Sequence, residues 1–290
     1  MPFNQTICRT CFAAVIVAAL LGVPRASLAD SGSITYNSSF DFKFGSAGSG
    51  DGQFDRLFGI TGDNQGRIYT TEGSVGSGNG RIQLFNADDG SFINRTADDT
   101  INGTQITFDD NDNLIAIDRA AVRIKAFDPS TLNEITDTTY PVNSGGDPIG
   151  VSVDPADGRL FVSHFNGDFI NTFDSNGTSL GTIINGGSAD GQIDGPAELA
   201  FHNGQLFVAE FNGDRIQIFE PDGTFIDKFG STGTALGQFD QPRSISLDDF
   251  GNIYVSDFNN DRVQVFDSSF NFLDTFGSSG GADGQFNLPI

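Results

Sequence analysis

A unit of about 46 residues repeats through this 290-residue chain. One series of alternating apolar segments starts at positions 46 or 47 apart, namely Arg67, Asn113, Arg159, Gln205 and Asn252. A second series follows it, starting at Arg81, Arg123, Phe169, Arg215 and Arg262. Each unit reads as four short strands separated by Gly, Asn and Asp turns, the pattern of a propeller blade. The repeat therefore predicts an all-β fold, a β-propeller of four-stranded antiparallel blades.

The repeat spacing also predicts where the blades lie. Five complete blades are expected at about 57–98, 104–140, 148–184, 196–229 and 242–276. Residues 40–44 read as the fourth strand of a sixth, incomplete blade, and residues 288–290 as the start of its first strand. Two interpretations follow: the sequence is a truncated part of a longer chain, or a strand-donating partner completes the open edge.

Several motif elements recur in register and resemble a known family. The segments 211–230, 229–242 and 251–267 (FNGDRIQIFEPDGTFIDKFG, FGSTGTALGQFDQP and GNIYVSDFNNDRVQVFD) resemble the NHL repeat, and the likeness covers residues 40–290. The resemblance implies a six-bladed propeller that serves as a binding platform. It is weaker in the first three blades, where residues 72–80 form a longer glycine-rich loop and residues 141–148 lack the GQF element.

The charge of the chain excludes some classes of partner. It carries 15 basic and 38 acidic side chains, a net charge of −23. Such a polyanion cannot hold a phosphate backbone by releasing counterions, so neither nucleic acid nor an anionic membrane surface is an expected partner.

The first 29 residues have the pattern of a signal peptide. An apolar run at 11–23 follows Arg9, and Ser27 and Ala29 provide the small residues at a cleavage site. We expect residues 30–290 to be secreted, to the periplasm or the cell exterior, as one propeller domain without a membrane span. An uncleaved membrane anchor is the alternative. Both cysteines, Cys8 and Cys11, lie in the leader, so the mature domain would have no disulfide.

The loop after the second strand opens with a polar residue in every blade. These residues are Glu72, Asp118, His164, Glu210 and Asp257. They could form a ring of oxygens that binds a cation such as calcium or a basic ligand, or each acid could pair with the arginine that heads the next strand. The expected ion pairs are Glu72–Arg81, Asp118–Arg123, Glu210–Arg215 and Asp257–Arg262. Where His164 replaces the acid, Phe169 replaces the arginine, and this joint change favours the ion-pair interpretation.

A candidate ligand face surrounds the same loops. Each of its three tripeptides joins a polar residue, a phenylalanine and an asparagine: His164, Phe165 and Asn166; Glu210, Phe211 and Asn212; and Asp257, Phe258 and Asn259. Exposed rings beside polar groups would suit a protein, peptide or glycan ligand, whereas buried rings would only pack between blades. Glu198 and Arg243 follow the blade-opening prolines near the expected channel mouth. They could orient a small polar ligand or pair with each other.

No catalytic residue, cofactor or metal site is predicted from motifs. His164 and His202 fall on opposite faces, so they cannot form a multi-histidine zinc site. The segment 109–113 (DDNDN) resembles a calcium loop but lacks its glycine and its closing glutamate. The sequence favours a non-catalytic binding or scaffold module. The alternative is a metal-dependent lyase or lactonase of the six-bladed propeller type, with its site at the channel mouth.

Overall fold

The computed structural model describes residues 44–73, 80–141, 146–248 and 250–290, with the backbone alone for residues 136–141. This part of the chain contains five four-stranded sheets, each with its strands in chain order and antiparallel to their neighbours. The predicted all-β propeller of four-stranded antiparallel blades is therefore confirmed. We number the blades one to five along the chain. In the described residues no helix is long and apolar enough to cross a membrane.

Each blade contributes one strand of each kind. The first strands are Leu57–Gly62, Gly103–Phe108, Pro148–Val153, Pro196–His202 and Pro242–Leu247. The second strands are Arg67–Glu72, Leu114–Asp118, Leu160–His164, Gln205–Glu210 and Ile253–Asp257. The third strands are Arg81–Asn86, Arg123–Phe127, Phe169–Phe173, Arg215–Phe219 and Arg262–Phe266. The fourth strands are Phe92–Arg95, Glu134–Pro141, Ser179–Ile184, Phe225–Phe229 and Phe272–Phe276.

The apolar core lies between neighbouring blades. The second and third strands are buried on both faces because a blade packs on each side of them, so they read as nearly continuous runs of apolar residues. One cluster joins blades three and four through Phe161, Leu199 and Phe219, and equivalent clusters join the other consecutive pairs. First strands of consecutive blades contact each other and line a central channel.

Glycine-rich connectors lead into blades one, four and five. The connector before blade one pairs two short parallel strands, Ser46–Ala47 and Gln53–Phe54. The same closure recurs as single parallel bridges, Gly186 with Ile193 and Thr232 with Phe239. A further copy, Ser279 with Phe286, follows blade five. The loop after the second strand of blade five contains one short 3₁₀ helix, Phe258–Asn260.

We call the face that carries the connectors and the loops after the second strands the connector face. The first strands begin there, since Pro196 pairs with Glu210 and Pro242 with Asp257. They end at the opposite face.

Part of the predicted sixth blade can be placed. Residues 288–290 form no strand, but Leu288 has the left-handed φ of +54° that Gln241, at +59°, adopts just before the first strand of blade five. Ile290 is buried in a cluster with Leu57 and Phe85. The predicted signal peptide at 1–29 and positions 40–43 of the predicted strand lie outside the described residues, as do loop residues 74–79 and 142–145.

Candidate functional site

Three blades hold their connector with an acid, an arginine and a glutamine. The trios are Glu72, Arg81 and Gln83; Glu210, Arg215 and Gln217; and Asp257, Arg262 and Gln264. In each trio the arginine Nε donates to the carboxylate, at 2.9, 3.0 and 2.7 Å respectively. We call each trio and the connector that it binds a clasp.

The clasp of blade five shows the contacts in full. Arg262 donates to the carbonyls of Thr234, Ala235 and Gln238, each at 2.9 Å. Gln264 donates to the carbonyl of Gln238 at 2.7 Å and accepts from the backbone N–H of Gly237 at 2.9 Å. The clasp therefore satisfies backbone groups of a loop that has few ladder partners of its own.

The acids of the clasps are not available to a ligand. The side chains of Glu210 and Asp257 are fully buried, and Glu72 is 1% exposed. Burial raises the pKa of Glu210 and Asp257, against the hydrogen bonds that their carboxylates accept. The structure thus differs from the prediction that Glu210 and Asp257 line the ligand face, because the arginine and the connector enclose them.

Blade two departs from the expected ion pairing. Asp118 and Arg123 are opposite each other in the strand register, but the cation near Asp118 is Lys125, with Nζ at 3.5 Å from Oδ2. Within the described residues no ion pair joins Asp118 and Arg123, and Arg123 Nε has no hydrogen-bond partner. Lys125 occupies the position of the clasp glutamine and competes for the carboxylate, which explains the difference.

Blade three replaces the ion pair with a ring stack. His164 is fully buried as the last residue of its strand, and its ring lies 4.1 Å from that of Phe169. Burial lowers the pKa of His164 to about 4. The structure therefore differs from the prediction that His164 lies on the ligand face.

The three phenylalanines that follow the second strands form one continuous arc on the connector face. The ring centroids of Phe165 and Phe211 are 5.5 Å apart, and those of Phe211 and Phe258 are 5.8 Å apart. All three side chains are half-buried, so they pack across blade boundaries and still present ring surface to solvent. We call these three residues the aromatic arc.

Exposed asparagines border the aromatic arc. Asn166, Asn212 and Asn259 directly follow the three rings, and all are exposed. Asn259 donates to Asp240 Oδ1 at 2.8 Å and to Gln241 Oε1 at 2.9 Å. Amide groups beside ring faces can bind a partner by hydrogen bonds while the rings supply apolar contact.

Two arginines, Arg119 and Arg243, lie near the aromatic arc. Arg119 of blade two occupies the position equivalent to the three phenylalanines and forms a bidentate ion pair with Asp147. The guanidinium carbon of Arg243 lies 5.4 Å from the ring centroid of Phe258. Burial and the charge of Arg119 lower the pKa of Arg243, against the attraction of Glu198. The alternative that Glu198 and Arg243 pair with each other is not realised, since no ion pair within 4 Å joins them.

Glu198 lies inside the channel. Its Oε2 accepts the backbone N–H of Ile245 at 3.2 Å, and the side chains of Ser244 and Gln105 also bind it. Gln105 reaches from blade two to the carbonyl of Leu199 in blade four, at 3.2 Å. Burial raises the pKa of Glu198 to about 7. This network crosses the channel between blades that are not adjacent.

A cavity of about 220 Å³ extends from Glu198 toward the opposite face. Hydroxyl groups line it at the fifth position of four first strands, Thr61, Thr107, Ser152 and Ser246. His202 also lines it, so Glu198 and His202 share one cavity. In the described parts of the chain no group of three or more His, Cys, Asp or Glu side chains could hold a metal ion.

Sequence reasoning missed three features of this region. The clasp glutamines could have been found, since Gln83, Gln217 and Gln264 recur two residues after the clasp arginines. Arg119 could have been found by alignment with the phenylalanines of the arc. The contact of Gln105 with blade four has no signal in the sequence, because it depends on how the blades are arranged around the channel.

Comparisons with known proteins agree on the fold. Residues 188–277 match a protein family described as a 6-bladed beta-propeller. No curated protein matches the chain. A protein of unknown function from Bacteroides thetaiotaomicron is 17% identical, with a TM-score of 0.65 over 87% of this chain and 67% of that chain.

Two further solved structures have named activities or partners. Virginiamycin B lyase from Staphylococcus aureus is 17% identical, with a TM-score of 0.57 over 78% of this chain and 72% of its own. A chain of a nidogen/laminin complex is 16% identical, with a TM-score of 0.60 over 80% of this chain and 84% of its own. At these identities the likeness shows a propeller fold, which is shared by a lyase and by a component of a protein complex.

Proposed function

We propose that this protein is an exported, non-catalytic propeller of the NHL type that binds a protein, peptide or glycan on its connector face. The aromatic arc is the observation that supports this function. Three half-buried rings from three consecutive blades form one surface that still reaches solvent. Neither the channel nor the clasps require these rings to be partly exposed. Aromatic residues of this kind supply contact area at low conformational cost.

The exposed asparagines extend the same surface. Each lies directly beside a ring, and each blade presents the pair in the same loop. A ligand that spans two or three blades would therefore meet the same ring and amide twice or three times. A solved complex of nidogen and laminin contains a similar propeller, which makes a macromolecular ligand the natural first choice.

A peptide library and a glycan array, each probed with the purified propeller, test this function. We expect Phe211→Ser, at the centre of the arc, to weaken binding to the best wild-type probe by about tenfold or more. Phe250→Ser is the matched control, because Phe250 is 81% exposed at the turn between the first two strands of blade five, on the opposite face. A wild type that binds no probe, or equal losses in both variants, would refute the proposal.

A second candidate function is carried by Glu198. A carboxyl group with a pKa of about 7 in a cavity is suited to general acid or base chemistry, as in a lyase or lactonase. The surrounding described residues do not provide a set of metal ligands, so we derive no metal-dependent step. A panel of lactones assayed with the wild type and Glu198→Gln tests this candidate, and turnover that Glu198→Gln abolishes would favour it.

A further inference from the structure

Arg243 is a half-buried cation for which the described residues provide no hydrogen-bond or ion-pair partner. Among the described residues no group accepts a hydrogen bond from its guanidinium, and no ion pair within 4 Å joins it to a carboxylate. This is unusual in a chain with 38 acidic side chains. The clasp arginine of the same blade, Arg262, donates to one carboxylate and three carbonyls. A half-buried charge loses part of its hydration, and no described protein group replaces it, so the retention of Arg243 points to a partner outside the chain.

The surroundings of Arg243 do not explain it as a structural residue. Its guanidinium carbon lies 5.4 Å from the ring centroid of Phe258, a favourable but modest contact. The partial burial of the group and the repulsion of Arg119 oppose this contact and lower the pKa of Arg243, while the attraction of the more distant Glu198 raises it. A neutral side chain of similar length would keep the ring contact without those costs.

The position of Arg243 suits the capture of an anion. It is the second residue of its first strand, so it lies at the connector-face end of the channel, beside the aromatic arc. Arg119, which is paired with Asp147, lies close enough to affect the pKa of Arg243. The five N–H donors of a guanidinium match the two oxygens of a carboxylate, and Phe258 supplies an apolar wall.

We infer that the channel mouth binds a ligand carboxylate, held by Arg243 beside Phe258. This inference deepens the proposed function and rests on its binding face. It predicts that the ligand is acidic at the point where it meets the channel, although the protein itself is strongly acidic. An aspartate or glutamate side chain, a chain terminus or a uronic acid would provide that group.

A pair of small probes tests the inference without knowledge of the natural ligand. Benzoate and benzamide have the same ring and differ in charge, and their binding is measured by NMR titration. We expect the wild type to bind benzoate and to prefer it over benzamide by about tenfold, the scale of one charge-assisted bidentate pair. Arg243→Gln should remove this preference, and Arg243→Lys should reduce it. Arg159→Gln, at the opposite face next to Asp157, should leave it unchanged.

Thermal unfolding separates a ligand residue from a structural one. We expect Arg243→Gln to keep or raise the Tm, because it removes an unpaired charge. A Tm lowered by about 3 °C or more, a clear loss of stability in a domain of this size, would overturn the inference even if benzoate binding fell. An unchanged preference for benzoate in Arg243→Gln, or no binding of benzoate by the wild type, would overturn it as well.

The outcomes for the two proposals are distinguishable. One outcome is that Phe211→Ser loses array binding but the probes that the wild type binds include no acidic peptide or uronic acid glycan. In that case the aromatic arc binds ligand and the carboxylate inference is wrong. If benzoate binding depends on Arg243 while the arrays show no loss in Phe211→Ser, the channel mouth binds carboxylates and the proposed role of the arc is wrong. The acidic probes on the two arrays also distinguish a peptide from a glycan source.

Discussion

The ring of His164 stacks on that of Phe169 at 4.1 Å, in the strand register where Glu210 meets Arg215 one blade later. In blade three this stacked pair occupies the position that the acid–arginine ion pair of a clasp occupies in blade four. The imidazole is fully buried there, and burial lowers its pKa to about 4, against 6.5 for an unperturbed histidine. His164 is therefore neutral in the folded protein near pH 7.

Replacing His164 with phenylalanine should remove one source of acid sensitivity. Between pH 6.5 and pH 4 the unfolded chain binds a proton at His164 that the native state does not, so wild-type stability falls as the pH is lowered through this window. We expect His164→Phe to gain up to about 3 kcal/mol relative to wild type between pH 7.5 and pH 4, since one pKa unit corresponds to about 1.4 kcal/mol. Urea unfolding at both pH values measures the difference. Parallel pH profiles would contradict it.

Glu198→Gln should have the opposite pH signature. The folded pKa of about 7 lies above the ordinary value of 4.5, so between these values the native state holds a proton that the unfolded chain has lost. Wild-type stability from Glu198 is thus complete below pH 4.5 and declines as the pH rises to 7. We expect Glu198→Gln to be more stable than wild type at pH 8, by on the order of 3 kcal/mol, and similar at pH 4.5. Glu220→Gln, in an exposed turn, is the control and should show no such trend.

Arg262→Met should be costly because it breaks a buried pair. Asp257 is fully buried and would lose its cation, and three connector carbonyls would lose a donor. We expect a loss of about 3 to 5 kcal/mol in the free energy of unfolding, measured in urea. Lys228→Met is the matched control, since Lys228 and its partner Asp190 are both more than 40% exposed, and it should cost under about 1 kcal/mol. In a double-mutant cycle, Asp257→Asn should recover part of the loss, and simple additivity would contradict the clasp.

The repeat made the fold predictable. A constant spacing of 46 or 47 residues determines the number of blades, and the alternating segments determine their strands. The same spacing predicted the pairing of Asp257 with Arg262, because the two residues flank one short loop. The strands and the ion pair could be predicted because each is formed by residues of one repeat unit.

The candidate site was less predictable because it depends on where side chains point and which blades meet. His164 ends a buried strand, whereas the sequence placed it at the start of a loop, and a shift of one residue decides between burial and exposure. Asp118 turns to Lys125 because that lysine replaces a clasp glutamine. Arg119 and Arg243 come from non-adjacent blades, and only the circular arrangement of the blades brings their charges together.

The connector glycines give a last test, within a single loop. Gly230 and Gly237 both have positive φ, +91° and +79°, in the connector before blade five. A Cβ at Gly230 would lie 2.5 Å from the ring of Phe239, which is fully buried, whereas a Cβ at Gly237 would meet nothing within 4 Å. Both alanine variants should lose about 1 to 2 kcal/mol from the left-handed backbone. Gly230→Ala should lose a further 1 to 3 kcal/mol, roughly, from overpacking against Phe239.

Urea unfolding of the two variants measures this difference directly. The same contact recurs in two other connectors: an added Cβ would lie 2.2 Å from Phe54 at Gly45 and 2.1 Å from Phe286 at Gly277. Gly45→Ala and Gly277→Ala should therefore behave like Gly230→Ala. Equal losses in Gly230→Ala and Gly237→Ala would mean that backbone conformation alone selects these glycines. A larger loss in Gly230→Ala would show that the connector phenylalanine requires the glycine, and that the two residues recur together because they pack on each other.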